Sequence, residues 1–462
     1  MRLLDAFEDG EPRIEWLGET LGAEELRGRV GASARWMREQ GLLPGDRVGL
    51  HLSHGADAPV FLLACWSAGL VAVPLDLHHP PDRLAALMER SGAKLFVTSG
   101  RRGAALARRV GGPAAVLDKE WSLGLDVAES VDLPPDAPAL ILWTSGSTGA
   151  PKGVTIPRRA VDSFVHWWGE RLDVGPSDRL AWTAALSFDL SLLDIGVALS
   201  RGATLVPVPD ARLAFPDTLG EYLDERGITC IYSVPSLLAR VLDPMPPSLR
   251  VVLSAGEALS PGLAASLRAS LGERGLLANL FGPTETNVST AWFVPWGWDG
   301  GQVSIGAPCP YVEVRLGEDD EMLVRGETVM SGYWGEPARA SWTEGWLHTG
   351  DRARWDDDGL VFLGRADRMV KVRGYRVEPE EVERQLESLS GVDSAAVVVV
   401  GQRESAELVA FAVGDFEEDL LSDLARVLPS WACPARIERL DELPRSPRGK
   451  VDRAALRASV GG

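Results

Sequence analysis

The chain has 462 residues, 45% hydrophobic and 24% charged, a composition ordinary for a soluble globular protein. It is too long for one hydrophobic core, so more than one domain is expected. A net charge of −19 argues against nucleic acid or an anionic membrane as partner, because both select basic surfaces.

In chain order, the first hundred residues alternate helix and strand signals. Leu26, Val30, Ala34 and Met37 recur at helical spacing, and Gly41 ends the run. The turn PGD at 44–46 leads into the strand RVGLHL. An apolar helix (59–69), the strand VAVPL, the helix PPDRLAALMERSG and the strand KLFVTS follow. The same alternation continues from about 137 to 290, with strand-like runs at 139–144, 203–208, 228–234 and 250–256. Such a pattern predicts parallel sheets covered by helices. From about 303 to 364 short strands dominate, with DDDG at 356–359 as a hairpin turn. After GRADRMVKVRGYR a smaller unit begins, with a well-marked helix at 379–391, the strands SAAVVVVG and ELVAFAVG, and the helix DLLSDLARVLP. The expected fold is therefore α/β. A large N-terminal domain, residues 1–366, would hold mostly parallel sheets with helices plus a small β-barrel-like part. A small α+β domain would follow at 367–462.

Cys65, Cys230, Cys309 and Cys433 are scattered and form no CxxC pair, which fits reduced, mostly buried thiols in a cytoplasmic protein. The six histidines show no HxxxH or HExxH spacing, so a zinc site built by the protein is not expected. His78, His79 and His348 read as loop residues. The N-terminus is acidic and lacks the long apolar run of a signal peptide, and no stretch approaches 18 uninterrupted apolar residues.

The first segment that carries chemistry is LWTSGSTGAPKG, 142–153. A buried-type strand runs into glycines and hydroxyls and then a lysine. Glycines let backbone N–H groups turn onto an anion, hydroxyls add donors, and lysine adds a point charge. The pattern suits a polyphosphate but fails the GxxxxGK[ST] template. Four further motifs follow: NLFGPTET (279–286), WLHTGD (346–351), GRADRMVKVRGYR (364–376) and PRGKVDR (447–453). All five, in this order, closely resemble the motifs of the adenylate-forming superfamily: acyl-CoA synthetases, luciferases and nonribosomal peptide synthetase adenylation domains. The likeness runs from about residue 22 to the end.

The resemblance implies ATP and Mg2+ as cofactors. Thr144, Ser145, Gly146, Ser147, Thr148, Gly149 and Lys152 would cradle phosphate, with Thr144 and Lys152 among the catalytic residues. Asn279 would bond the adenine edge and Phe281 would stack near it, where the family more often has tyrosine. Thr284 would bond a phosphate and Glu285 would hold the metal, a sound pairing of a hard cation with a carboxylate. Asp351 would accept both ribose hydroxyls, and Arg365 would reach ribose or phosphate. Gly256, Glu257, Gly282 and Phe362 would complete the nucleotide site. Asp367 would be the hinge of the small domain. Lys371, Arg373 and Gly374 would line the thiol tunnel. Lys450, one of only five lysines in the chain, would be the catalytic lysine on the mobile domain.

The acyl substrate is read from SFDLSLLD, 187–194. In amino-acid-activating members an aspartate at this point pairs with the substrate ammonium, and Asp189 matches it. Alternatively Asp189 is only the N-cap of the helix that follows. The pocket positions carried over one by one are Leu190, Leu193, Ser236, Leu253, Ala255, Leu280, Val288 and Ser289, closed by Lys450. This lining is apolar with two small hydroxyls and disfavours charged side chains. It is similar to pockets that load proline onto free-standing carrier proteins, except that those usually carry a bulkier residue in place of Ser236 and cysteine in place of Ser289. The expected activity is ATP-dependent formation of an aminoacyl adenylate, of proline or a proline analogue. Transfer to the phosphopantetheine thiol of a separate carrier protein would follow, since the sequence carries no Gly-Gly-x-Ser-Leu type attachment motif. Two competing readings are an acyl-CoA ligase for a non-amino acid and a non-catalytic nucleotide-binding protein. The N-terminal domain also looks shorter than is usual in the family.

Overall fold

A computed structural model describes residues 2–110, 112–117, 124–125, 130–146, 150–215, 218–241, 245–298, 300–336, 342–366, 369–372, 375–401, 407–416, 419–445 and 451–460. These residues divide into two compact units. The first comprises Met1–Leu77, Met88–Leu142 and Gly153–Gly364; the second comprises His78–Leu87, Trp143–Lys152 and Arg365–Gly462.

The first unit is built on two large sheets. In the nine-stranded sheet, six neighbours run parallel: Leu276–Phe281, Val251–Ser254, Cys230–Ser233, Arg179–Trp182, Thr204–Pro207 and Arg13–Trp16. Thr290–Phe293 and Glu19–Leu21 flank them antiparallel. The central strands are mostly apolar and fully buried because both faces are covered. Helix Leu190–Ser200 is buried on every side and mostly apolar, lying among helix Arg158–Arg171 and the strands Arg179–Trp182, Thr204–Pro207 and Cys230–Ser233. The seven-stranded sheet has at its centre Val71–Pro74, Arg47–His51 and Leu95–Ser99, paired in parallel. A five-stranded antiparallel sheet, Val312–Leu316 to Gly359–Arg365, stands where a small barrel-like part is expected. Asp357 and Asp358 turn its last hairpin, as DDDG predicts.

The N-terminal helix Arg2–Asp9 and the hairpin Arg13–Leu21 are additions to the elements expected from the sequence. The hairpin extends the nine-stranded sheet at its edge, with Ile14 fully buried.

In the second unit, strands Val392–Val400, Glu407–Gly414 and Arg436–Arg439 form a sheet against which helix Pro379–Glu387 packs. Val377, Val382, Leu386, Val397, Ala410 and Leu424 form its core. This is a separate hydrophobic core, as a second domain requires.

Candidate active site

Parallel strands deliver their carboxyl ends to one edge of a sheet. Ser233, Ser254 and Asn279 stand side by side in register at that edge of the nine-stranded sheet. The chain therefore leaves three neighbouring strands toward Ser236, toward Ala255, Gly256 and Glu257, and toward Phe281, Gly282 and Glu285. A fourth neighbour, Arg179–Trp182, leads to Asp189. Residues separated by about a hundred positions in sequence meet here because sheet order, not sequence order, decides adjacency.

The loop after Phe281 folds back on itself. The Phe281 carbonyl accepts the N–H of Ser289 at 2.8 Å, and Thr286 N–H bonds the Pro283 carbonyl at 2.9 Å. A Cβ at Gly282 would lie 1.7 Å from the Asn287 carbonyl oxygen, so only glycine fits. Thr284 lies in the turn, and Glu285 follows it, buried. Its Oε1 accepts a hydrogen bond from the Tyr333 hydroxyl at 2.9 Å. A carboxylate held in this way suits a hard divalent cation, which would need the remaining ligands from phosphate and water. Among the described residues no group of three or more His, Cys, Asp or Glu side chains could hold a metal alone.

Nearby, Phe281 and Phe362 meet at 5.2 Å between ring centres and 44° between planes, with Phe362 37% exposed. Two such rings offer an apolar face to a flat heterocycle. Asn279 is buried, and its Nδ2 donates to the Ser304 carbonyl at 2.8 Å, so its side-chain amide is fixed from within the protein. Asp351 is buried in strand Trp346–Asp356, and its N–H donates to the Thr349 hydroxyl at 3.1 Å. Arg365 ends the adjoining strand. His348 lies exposed on strand Trp346–Asp356, held by Glu321 and Thr343, a correction to its reading as a loop residue.

Asp189 occupies the N-cap position of helix Leu190–Ser200, yet its side chain makes no capping hydrogen bond. Leu190 and Leu193 follow on the helix, buried, and Leu253, Ala255, Leu280 and Val288 are buried around the same sheet edge. The two hydroxyls of the expected pocket are engaged. Ser236 Oγ donates to Glu257 Oε1 at 3.1 Å while its N–H donates to Oε2 at 3.0 Å. Ser289, fully buried, donates to Thr286 Oγ1 at 2.7 Å. The lining is thus more apolar in effect than its composition suggests, because each hydroxyl hydrogen already has an acceptor.

Asp194, on the same helix, is a residue that the sequence reading missed. It is buried, the Thr183 N–H bonds its carboxyl, and its Oδ2 has no hydrogen-bond partner. Burial pushes this carboxyl well above the usual carboxylate range. Burial, with the charge of Asp189 beside it, likewise pushes the Tyr232 phenol well above its ordinary value. Burial also pushes the thiols of Cys230 and Cys309 up to about 12, so neither is a nucleophile at neutral pH. All four cysteines are free.

In the second unit, Thr144 ends a strand and its hydroxyl bonds the Lys152 carbonyl at 3.5 Å. Ser145 Oγ donates to the Arg376 carbonyl at 3.0 Å. A Cβ at Gly146 would lie 2.2 Å from the Ala150 carbonyl oxygen, so this cradle also demands glycine. Lys152 opens the strand Lys152–Pro157, and Lys371 lies exposed on Val370–Val372. Ser147, Thr148, Gly149, Asp367, Arg373, Gly374 and Lys450 lie outside the described residues. The expectation that His78 and His79 are surface loop is corrected for His79. It is buried and packs 5.5 Å from the Trp431 ring, which stacks on Tyr375 at 3.8 Å.

A family model described as AMP-binding enzyme matches residues 8–334, and one described as AMP-binding enzyme C-terminal domain matches residues 381–450. The chain is 37% identical to an L-proline--[L-prolyl-carrier protein] ligase of Pseudomonas fluorescens, covering 96% of this chain and 95% of that protein. It is 34% identical to a protein of the same name from Streptomyces coelicolor, covering 93% of this chain and 90% of that protein. Its structure is similar to that of the amide bond synthetase McbA from Marinactinospora thermotolerans, with a TM-score of 0.88, 26% identity and 100% of both chains covered. Among the described residues no helix is long and apolar enough to cross a membrane.

Proposed function

Because the chain belongs to the AMP-binding enzyme family, we propose that it uses ATP to convert an amino acid, proline or a proline analogue, to its aminoacyl adenylate. It then passes the acyl group to the phosphopantetheine thiol of a separate carrier protein. The observation that carries the amino-acid assignment is Asp189: a carboxylate at a helix N-terminus that makes no cap bond, followed by the buried apolar residues Leu190 and Leu193. A carboxylate beside apolar walls suits a ligand bearing one ammonium and an uncharged side chain. The proline assignment draws support from the names of the two curated relatives, which share most of their length with this chain.

In this reading the substrate carboxylate oxygen attacks the α-phosphorus of ATP, an O–P bond forms, and the bond to pyrophosphate breaks. The protein contributes position and charge neutralisation rather than covalent chemistry. Glu285 would hold Mg2+, which supplies neutralisation of phosphate charge. Thr144, Ser145, Gly146 and Lys152 would hold the phosphates, with Ser147, Thr148 and Gly149. Asp351 and Arg365 would hold the ribose, and Phe281 with Phe362 the adenine. Lys450, on a small domain spanning 367–462, would bridge the carboxylate, ribose and α-phosphate. Rotation at Asp367 would then withdraw it and bring Lys371, Arg373 and Gly374 to the thiol. The thiol sulfur attacks the acyl carbon and AMP leaves with the electron pair.

An ATP–pyrophosphate exchange screen over the amino acids and a set of amine-free carboxylic acids tests this. Exchange with proline or a related imino acid is expected. Exchange with amine-free acids alone would replace the reading with an acyl-CoA ligase.

A further inference from the structure

The segment Cys309–Tyr311 grips the backbone of Val288 and Ser289 at two consecutive peptide units. The Tyr311 hydroxyl donates to the Val288 carbonyl at 2.9 Å. The Cys309 N–H donates to the Ser289 carbonyl at 2.9 Å. The Tyr311 oxygen in turn accepts the indole N–H of Trp168 at 3.1 Å. A phenol has one hydrogen, and an indole nitrogen can only donate, so the directions in this chain of bonds are fixed: Trp168 to Tyr311 to Val288. Trp168 is fully buried and Tyr311 nearly so. The tyrosine ring is wedged edge-on between Trp167, at 5.6 Å and 84°, and Phe164, at 6.4 Å and 74°. On the other side, Val288 N–H is held by Asn287 Oδ1 at 2.7 Å, with Asn287 in the left-handed region at φ 55°. Val288 is thus fixed at both its N–H and its carbonyl, an arrangement that leaves its backbone little freedom.

We propose that Tyr311 is a specificity-determining positioning residue. Through the Val288 carbonyl it sets how far the Val288–Ser289 wall stands from the bound amino acid side chain, and so the width of the acyl pocket. This rests on the proposed reading in which Val288 and Ser289 line that pocket. Tyr311 itself does not touch the substrate. Removing its hydroxyl takes away the bond it makes to the buried Val288 carbonyl, the one it accepts from the buried Trp168 indole and its contact with the Cys309 thiol, and the wall relaxes to find other partners. A looser wall discriminates less between side chains that differ by one methylene, which is the smallest difference such pockets resolve.

The test is Tyr311→Phe, assayed by exchange with the best amino acid from the screen and with its homologue one methylene larger. The KM for the preferred amino acid is expected to rise about tenfold. Its kcat/KM advantage over the homologue should fall at least fivefold, while the KM for ATP stays within twofold. The ratio of two kcat/KM values measured on one preparation does not depend on the folded fraction, so partial misfolding cannot imitate the result. Trp168→Phe should shift the ratio in the same direction and less, and should add nothing in the Tyr311→Phe background. A selectivity ratio unchanged within twofold in Tyr311→Phe overturns the proposal. If the wild-type chain activates no amino acid, the pocket assignment fails first and the inference falls with it.

Discussion

The Tyr333 hydroxyl donates a 2.9 Å hydrogen bond to Oε1 of Glu285, and Met330, three residues earlier, donates its N–H to the Glu285 carbonyl at 2.8 Å. One short segment therefore fixes both the backbone and the carboxylate of the proposed metal ligand. A charge-assisted bond of this kind orients a carboxylate without neutralising it, which is what a cation ligand needs. Tyr333→Phe is expected to raise the Mg2+ concentration for half-maximal exchange about tenfold, equivalent to roughly 1.4 kcal/mol. The KM for the amino acid should barely move. Glu285→Ala should lower exchange by about two orders of magnitude or more. A Mg2+ titration of both variants checks this, and an unchanged midpoint in Tyr333→Phe would rule out an orienting role.

Asp189 separates two roles that the sequence alone leaves entangled. A capping aspartate stabilises its helix by about 1 kcal/mol through a side-chain bond to the backbone. No such bond is made here. Asp189→Asn should therefore spare the stability that a cap bond would give, and lower it by less than about 1 kcal/mol. It should lower amino-acid-dependent exchange by about two to three orders of magnitude. Thermal melting and exchange on the same sample decide the matter. Loss of stability with activity retained would return Asp189 to the role of a cap.

Much of the architecture is legible in the sequence because its causes are local. Runs such as CIYS and VVLS are mostly apolar since they are buried on both faces, and the strands form where those runs lie. The chemistry-bearing loops are legible too, since glycines such as Gly146 and Gly282 are demanded by contacts within the same loop. What escapes is anything decided by distant pairing. Tyr333 lies 48 positions from Glu285, and Trp168 lies 143 from Tyr311, so no window of sequence joins them. His79 reads as a polar loop residue until Trp431, remote in sequence, covers it. Asp194 is hidden in another way. An aspartate inside an apolar helix reads as a polar interruption, and only the sheet beside it shows that it is fully enclosed.

That enclosure gives Asp194 a measurable signature. Its carboxyl is held well above the usual carboxylate range by burial, so the fold favours its neutral form. In the unfolded chain it ionises above about pH 4. The unfolded state therefore binds fewer protons, and stability falls as pH rises above that point, by about 1.4 kcal/mol per pH unit until the folded-state value is reached. Asp194→Asn keeps the shape and removes the titration. The variant's melting temperature relative to the parent should accordingly increase from pH 5 to pH 8. A difference that stays constant with pH would show that Asp194 is ionised in the fold.

Lys450 offers the sharpest division between the two half-reactions. The described residues on either side of it are joined to each other. Arg445 and Val451 form an isolated antiparallel bridge, and Asp452 N–H donates to the Pro444 carbonyl at 2.7 Å. Lys450 itself lies outside the described residues. If it serves adenylation alone, its removal should block the attack of carboxylate on phosphate and leave later chemistry intact. Lys450→Ala is therefore expected to abolish exchange while largely sparing thioester formation from pre-formed aminoacyl adenylate and a carrier protein. Lys450→Arg should fail at adenylation as well, since a wide planar guanidinium does not fit where a compact ammonium meets carboxylate, ribose and phosphate together. Single-turnover transfer from synthetic adenylate, run beside exchange, distinguishes the steps. Equal loss of both would mean that Lys450 serves a site common to the two reactions, and that no rotation of the small domain need withdraw it.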